Sequence, residues 1–339
     1  TIHSLPDELL LEILRYLIAI RSFETQSTAF LNKREERARQ CENRVRQLAL
    51  YSLCFTSRNL RRVATPILYS SFTGSTTSHG LLILKLFHRT VSNSNNASGS
   101  NSRLTNHLLY VENRLADHLG NSLSADIRLA EPTHMVQKYF YLLSDIVRRA
   151  PNLQHLCVTN LESKDVSFWK YILPGQNHTE SSTSTSVAGH GLCKLQALCV
   201  QVHTTSFRGK GVTVSFRDIC SSMTLVPSLS DFRASTVTAI GPSGPSSSFG
   251  NFKSLQRLEL TQCVLDFDFV IDIWSACEGL RHVVCAWAYL DCPDGAPSDL
   301  YPGLLRHAET LETLHLDLRE VRFDNQTSTS PPPQPLGTL

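Results

Sequence analysis

The sequence predicts an α/β chain in which a short N-terminal module of helices precedes a solenoid of strand–helix units. Three observations predict it. Leucines and isoleucines fall at helical spacing from Leu5 to Leu17. A leucine pattern, L-x-x-L-x-L, recurs six times between Leu153 and Leu316. Amphipathic stretches of helical period stand before most of the recurrences.

In LPDELLLEILRYL, Leu5, Leu9, Ile13 and Leu17 form one helical stripe, widened by Leu10 and Leu14. Pro6 suits a first helical turn, where its missing N–H costs nothing, and Asp7 and Glu8 complement the positive end of the helix dipole. From Arg21 to Arg46 the chain turns polar, and KREERAR (33–39) mixes charge signs in the manner of an exposed helix or an insertion. The next apolar segment, LALYSLCFTSRNLRRVATPILY, places Leu50, Leu53, Leu60, Val63 and Ala64 on one helical face, with Pro66 expected to stop the helix. Two or three short helices follow from this.

The repeat fixes the architecture of the rest. NLQHLCV, KLQALCV, SLSDFRA, SLQRLEL, GLRHVVC and TLETLHL begin their pattern at Leu153, Leu195, Leu229, Leu255, Leu280 and Leu311, at intervals of 42, 34, 26, 25 and 31. Leucine-rich repeats run ~20–29 residues, and the two longest intervals hold Ser/Thr/Gly-rich insertions. The stretches YLLSDIVRRA, FDFVIDIWSACEG and YPGLLRHAE supply helices ahead of three of the strands, and LLYV around Leu109–Val111 suggests an irregular first turn. Helix and strand then alternate as a horseshoe requires. The competing reading, ordinary buried strands of another α/β fold, leaves unexplained why one motif recurs in a single phase.

These features divide the chain into a helical module at 1–75 with an insertion at about 21–46, linking helices and an irregular first repeat at 76–150, repeats at 151–322, and a Pro-rich tail at 323–339 expected to be disordered. Residues 92–102, 176–191 and 241–250 are too polar or too rich in glycine, serine and proline to bury anything and are expected to be loops.

Composition excludes several classes. Lys and Arg number 32 against 30 Asp and Glu, so the net charge of +2 supplies no global field for nucleic acid or anionic lipid. No stretch approaches the ~20 apolar residues that span a bilayer, and no basic segment leads into an apolar signal core. A cytoplasmic or nuclear location is expected, with no membrane and no nucleic acid as partner. None of the ten cysteines forms a C-x-x-C pair, and Cys199, Cys220, Cys277 and Cys285 lie inside apolar periodic segments, as reduced core cysteines do. No metal and no cofactor are expected.

LPDELLLEILRYL followed by SLCFTSRNLRRVATPILYSSF resembles the F-box, in the form common in fungal F-box proteins with irregular leucine-rich repeats. The resemblance covers about residues 3–72 as motif and, more loosely, 80–320 as repeat scaffold. The chain departs from the family by roughly 25 extra residues between Leu17 and Leu48, where a short connection is usual. A surface excursion accommodates such a length, because loop-closure entropy grows slowly.

The resemblance implies a three-helix module that docks on a Skp-type adaptor, and through it on a cullin and a RING subunit. The chain is then the substrate receptor of an SCF-type ubiquitin ligase and not itself an enzyme. By motif position Leu5 and Pro6 match the family's leading Leu-Pro contact, while Leu9, Ile13, Leu14, Leu53 and Val63 divide between module core and adaptor face. Periodicity does not assign each to a side. The alternative keeps the fold as an interaction scaffold outside a ligase, and co-purification of a cullin separates the two.

In such repeats the leucines point inward and the residues between them line the concave face. That assigns His155, Asp231, Arg233, Arg257, Glu259, His282, Thr313 and His315 to a face suited to a target protein, with Cys157, Ala197, Cys199 and Val284 beside them. Enzyme motifs are lacking. Gly209–Gly211 fails as a phosphate loop because Thr204 holds the earlier glycine position and Gly211 replaces the Ser/Thr, and no G-x-S-x-G, H-E-x-x-H or G-x-G-x-x-G occurs. A thiol enzyme pairing a cysteine with a histidine stays open, since such partners meet in space rather than in sequence.

Overall fold

A computed structural model describes residues 5–22, 33–75, 78–93, 104–114, 133–161, 168–169, 172–173, 192–202, 216–239, 249–292 and 295–323. These are mixed α/β, and every described strand pair is parallel. Two compact units divide the chain, one of residues 1–159 with 189–193 and one of residues 160–188 with 194–339. The expected loops at 92–102 and 241–250 lie almost wholly outside the described residues, as does the whole of 176–191. The expected disordered tail lies outside them from 324 onward.

The first unit opens with three helices, α1 (Asp7–Arg15), α2 (Lys33–Thr56) and α3 (Arg58–Leu68). Their core is Leu10 and Leu14 from α1, Leu50 from α2, and Leu60, Val63 and Ala64 from α3. Spacings of four (Leu10, Leu14) and of three and four (Leu60, Val63, Ala64) give each helix one inward stripe. Ser57 breaks the second apolar segment in two: its side chain accepts the Leu60 N–H at 3.2 Å, an N-cap that starts α3 one residue later.

Pro66 does not stop α3, as expected from sequence, but sits inside its last turn. Proline's fixed φ is helical, and so near the end only one backbone hydrogen bond is forfeited. The polar stretch expected to be a surface excursion is also different: Lys33–Arg39 begins the 24-residue α2, and Glu36 and Arg39 are buried.

Beyond these helices the first unit carries β1 (Ser71–Ser75), α4 (Ser78–Asn93), β2 (Tyr110–Arg114), α5 (Thr133–Arg149) and all but the last two residues of β3 (His155–Leu161). The expected first turn near Leu109 is β2, and β1, read from sequence as the end of the helical module, precedes it. β1 pairs with β2 from Ser71↔Tyr110, and β2 with β3 from Tyr110↔His155.

The second unit stacks β4 (Ala197–Val202), β5 (Asp231–Ser235), β7 (Arg257–Leu265), β8 (His282–Trp287) and β10 (Thr313–Asp317) in that order. Helices α6 (Phe216–Met223), α7 (Phe267–Ala276) and α8 (Tyr301–Leu305) fall between them. Short strands add two separate parallel pairings, β6 (Thr238–Ala239) on β7 and β9 (Leu290–Asp291) on β11 (Val321–Arg322).

The register runs Ala197↔Asp231↔Arg257↔His282↔Thr313, so the motif leucines fall in columns. From Leu195 to Cys285 every motif position is at most 1 % exposed. A single repeat has a bare apolar face, and stacking is what covers it. The column ends abruptly, for Leu314 is 36 % exposed where Leu198, Phe232, Leu258 and Val283 are fully buried.

Strands β5, β7, β8 and β10 begin the same way: one carbonyl of the preceding repeat accepts two successive N–H groups. Gln196 O takes those of Ser230 and Asp231, Ser230 O those of Gln256 and Arg257, Gln256 O those of Arg281 and His282, and Arg281 O those of Glu312 and Thr313. In the first unit Ser70 O and Leu109 O do likewise. Side-chain hydroxyls reinforce the step, Ser228 onto Leu195 O, Ser254 onto Pro227 O and Thr310 onto Leu280 O.

Candidate docking surfaces

The three-helix core leaves a second set of apolar side chains outside it. On α1 these are Leu9, Leu11, Ile13 and Tyr16, and on α2 Val45, Leu48, Tyr51 and Phe55, each between 42 and 76 % exposed. Leu9, Ile13 and Tyr16 follow one another at helical spacing, as do Val45, Leu48, Tyr51 and Phe55, while Leu11 stands off the α1 row; Tyr51 meets Phe55 edge-on at 4.8 Å. Single exposed leucines need no explanation, whereas a row on each of two helices in one small module is unusual for a surface that meets only water.

The structure divides the residues that the resemblance offered as adaptor contacts. Leu9 and Ile13 are exposed, and Pro6, which caps α1 from the residue before it, is exposed too. Leu5 and Leu53 are half-buried against the module core. Leu14 and Val63 are core residues and are corrected accordingly: a partner reaches neither without opening the module. Sequence reading missed Leu11, Tyr16, Val45, Leu48, Tyr51 and Phe55. The spacing of Leu48, Tyr51 and Phe55 was the available signal, hidden behind Leu50 and Leu53 on the neighbouring face of α2.

A second surface, the face of β2 and β3, is occupied by the chain itself. Arg39, projecting from α2, donates to both Glu36 oxygens, to Glu112 of β2 at 2.8 Å and to the carbonyl of Ile20. Tyr110 donates to Glu112 at 2.6 Å and accepts the Ser22 N–H at 3.3 Å. Arg21 lies 3.3 Å from the His155 imidazole. Asn43 holds Ile20 at both its N–H and its C=O, and Arg46 takes Ile18 O.

Burial pushes Glu112 up to about 7, against the pull of Arg39 and the hydrogen bonds from Tyr110 and Arg39. Burial, with Arg21 beside it, pushes His155 down to about 4. His155, expected to face a target, therefore stands as a neutral, half-buried group beside Arg21. Nothing in sequence joins residues 39 and 112, since the pairing is tertiary.

The strand face of the second unit carries the other expected target contacts. Alternation puts Asp231 and Arg233 on one face of β5, and register sets them beside Arg257 and Glu259 of β7. Arg233 grips both Asp231 oxygens at 2.9 Å, and Arg257 donates to Glu259 at 3.1 Å. The four charges cancel.

Arg233 and Glu259 are buried, so of this quartet only Arg257 and Asp231 reach solvent, and those only in part. Exposure returns toward β10: His282 is half-buried and lies 3.2 Å from the exposed Thr313, and His315 is half-buried. The expected face thus exists as aligned rows, but its middle is closed.

Thiol chemistry finds little support among the buried cysteines. Burial pushes the Cys263 and Cys277 thiols up to about 12 and raises Cys220 and Cys285 well above the usual range, which suppresses the reactive thiolate. Among the described residues no His/Cys/Asp/Glu group of three is placed to hold a metal ion, and no helix is long and apolar enough to cross a membrane. No protein-family model matches the chain, and a search of curated proteins returns no match.

Proposed function

We propose that the chain is an F-box protein with irregular leucine-rich repeats, serving as substrate receptor of an SCF-type cullin-RING ubiquitin ligase. Its three-helix module binds a Skp-type adaptor and its repeats bind a target protein. The observation that carries this reading is the pair of apolar rows on α1 and α2, left outside a module core that is complete without them.

The magnitudes fit a helix-in-groove interface. A fully buried Leu, Ile or Phe contributes ~1.5–3 kcal/mol, so side chains already half covered contribute ~1 each. Association costs of ~4–15 kcal/mol then require most of the seven in the two rows to be engaged together. Loss of even two should be visible.

The test is co-expression of the full chain with a Skp-type adaptor, comparing wild type with Ile13→Asp and with Phe55→Asp. Both positions are exposed, so folding, followed by circular dichroism, is expected to hold while capture is lost. A wild-type chain that captures no adaptor refutes the reading. Adaptor captured without cullin, under conditions that keep other such complexes whole, leaves a repeat scaffold acting outside a ligase.

A further inference from the structure

The described parts of the polar stretch that departs from the F-box pattern, Arg21–Ser22 and Lys33–Arg46, are built into the first unit; residues 23–32 lie outside the described residues. Ile18–Ser22 runs across the strand face, fastened to α2 by Asn43 and Arg46 and to the strands through Tyr110 and His155. At the centre Arg39 bridges α2, the crossing segment and β2, with side-chain exposures of 4 % for Arg39, 6 % for Glu36 and 1 % for Glu112.

A displaceable lid would be held by contacts that solvent can replace. Here opening strands two carboxylates or one guanidinium in a desolvated place, and breaking a buried ion pair by losing one partner is among the costlier changes a fold can suffer. The segment is therefore fixed. A strand face filled by its own chain is also closed to other protein.

We propose that Arg39 is a positioning residue: with Ile18–Ser22 it forms a rigid strut that seals the β2–β3 face against targets and holds α1–α3 at one angle to the strands. The role rests on the receptor reading, because a receptor must present its target at a set distance from the adaptor. Guanidinium geometry suits the task, since its donors fan out to two carboxylates and a carbonyl at once, which a lysine ammonium does less well.

The experiment uses the full chain with spin labels carried by unnatural amino acids at Gln47 on α2 and Arg148 on α5, both exposed. Pulsed electron spin resonance then reads the distance between them. Wild type is expected to give one narrow distribution, and Arg39→Met to lose it, while adaptor capture through the untouched apolar rows stays at the wild-type level. Should Arg39→Met unfold, Asn43→Ala, which frees the Ile20 N–H and leaves the Ile20 carbonyl to Arg39 alone, decides instead. Distances unchanged in the folded variant overturn the strut. A wild-type chain that captures no adaptor overturns the receptor reading and the positioning role with it, whatever the distances.

Discussion

Replacing Leu258 by alanine removes the central inward side chain of the second unit, where Phe232 and Val283 flank it in register and all three are fully buried. The cost combines lost transfer free energy with a cavity that stacked repeats close poorly, ~3–5 kcal/mol. Leu314→Ala makes the same chemical change at the last strand. That side chain has Val283 on one side only and is 36 % exposed, so less is lost and no closed cavity forms, ~1–2 kcal/mol.

Tryptophan fluorescence during urea unfolding separates the two cases, because Trp169, Trp274 and Trp287 all belong to the second unit. With one denaturant slope of ~2 kcal/mol/M for both variants, the midpoint falls by roughly 1.5–2.5 M for Leu258→Ala and by roughly 0.5–1 M for Leu314→Ala. Equal shifts would refute the reasoning, since they would mean that the column of leucines is buried to its end or was never stacked.

Three further outcomes follow from the described geometry. His307 accepts the Leu280 N–H at Nδ1 and meets Trp274 O through Nε2, a neutral arrangement in which burial lowers its pKa. The unfolded chain therefore binds the proton first. Stability is whole above about pH 6.5 and declines as pH falls toward the folded-state value, so the urea midpoint should drop between about pH 7.5 and 5.5, and drop less in His307→Gln. Gln262 holds φ at 52° and is exposed at the irregularity of β7 between Thr261 and Cys263, so Gln262→Asn should raise stability by ~0.5–1 kcal/mol, read as a higher midpoint. Thiols pushed to about 12 hold roughly a thousandfold less thiolate than ordinary ones, so mass spectrometry after brief iodoacetamide treatment should find Cys41 modified and Cys263 and Cys277 intact.

The repeated strands were legible because their signal is local and periodic: six short strings carry both the inward leucines and the register. The helical module was legible for the same reason. What sequence could not show was the fate of its polar stretch. Charge runs ordinarily mark solvated faces, and only the tertiary approach of Glu112, 73 residues away, turns Arg39 inward. The same limit governs the strand face. Alternation places Arg233 and Glu259 beside each other, but periodicity does not tell that their carboxylates and guanidinium are sealed from water. Pro66 shows a lesser limit, since a proline near a helix end marks a boundary only to within a turn.

The doubled acceptor at the starts of β5, β7, β8 and β10 has a consequence for how the array can change in length. In the second unit, motifs spaced by 34, 26, 25 and 31 residues all enter the sheet through the same two hydrogen bonds to one carbonyl of the repeat before. Phase is thus reset locally at every turn, and no count is carried along the intervening chain. Residues can be added or removed between a strand and the next turn without propagating an error, so each connection is a place where new sequence can be inserted while the stack stays in step.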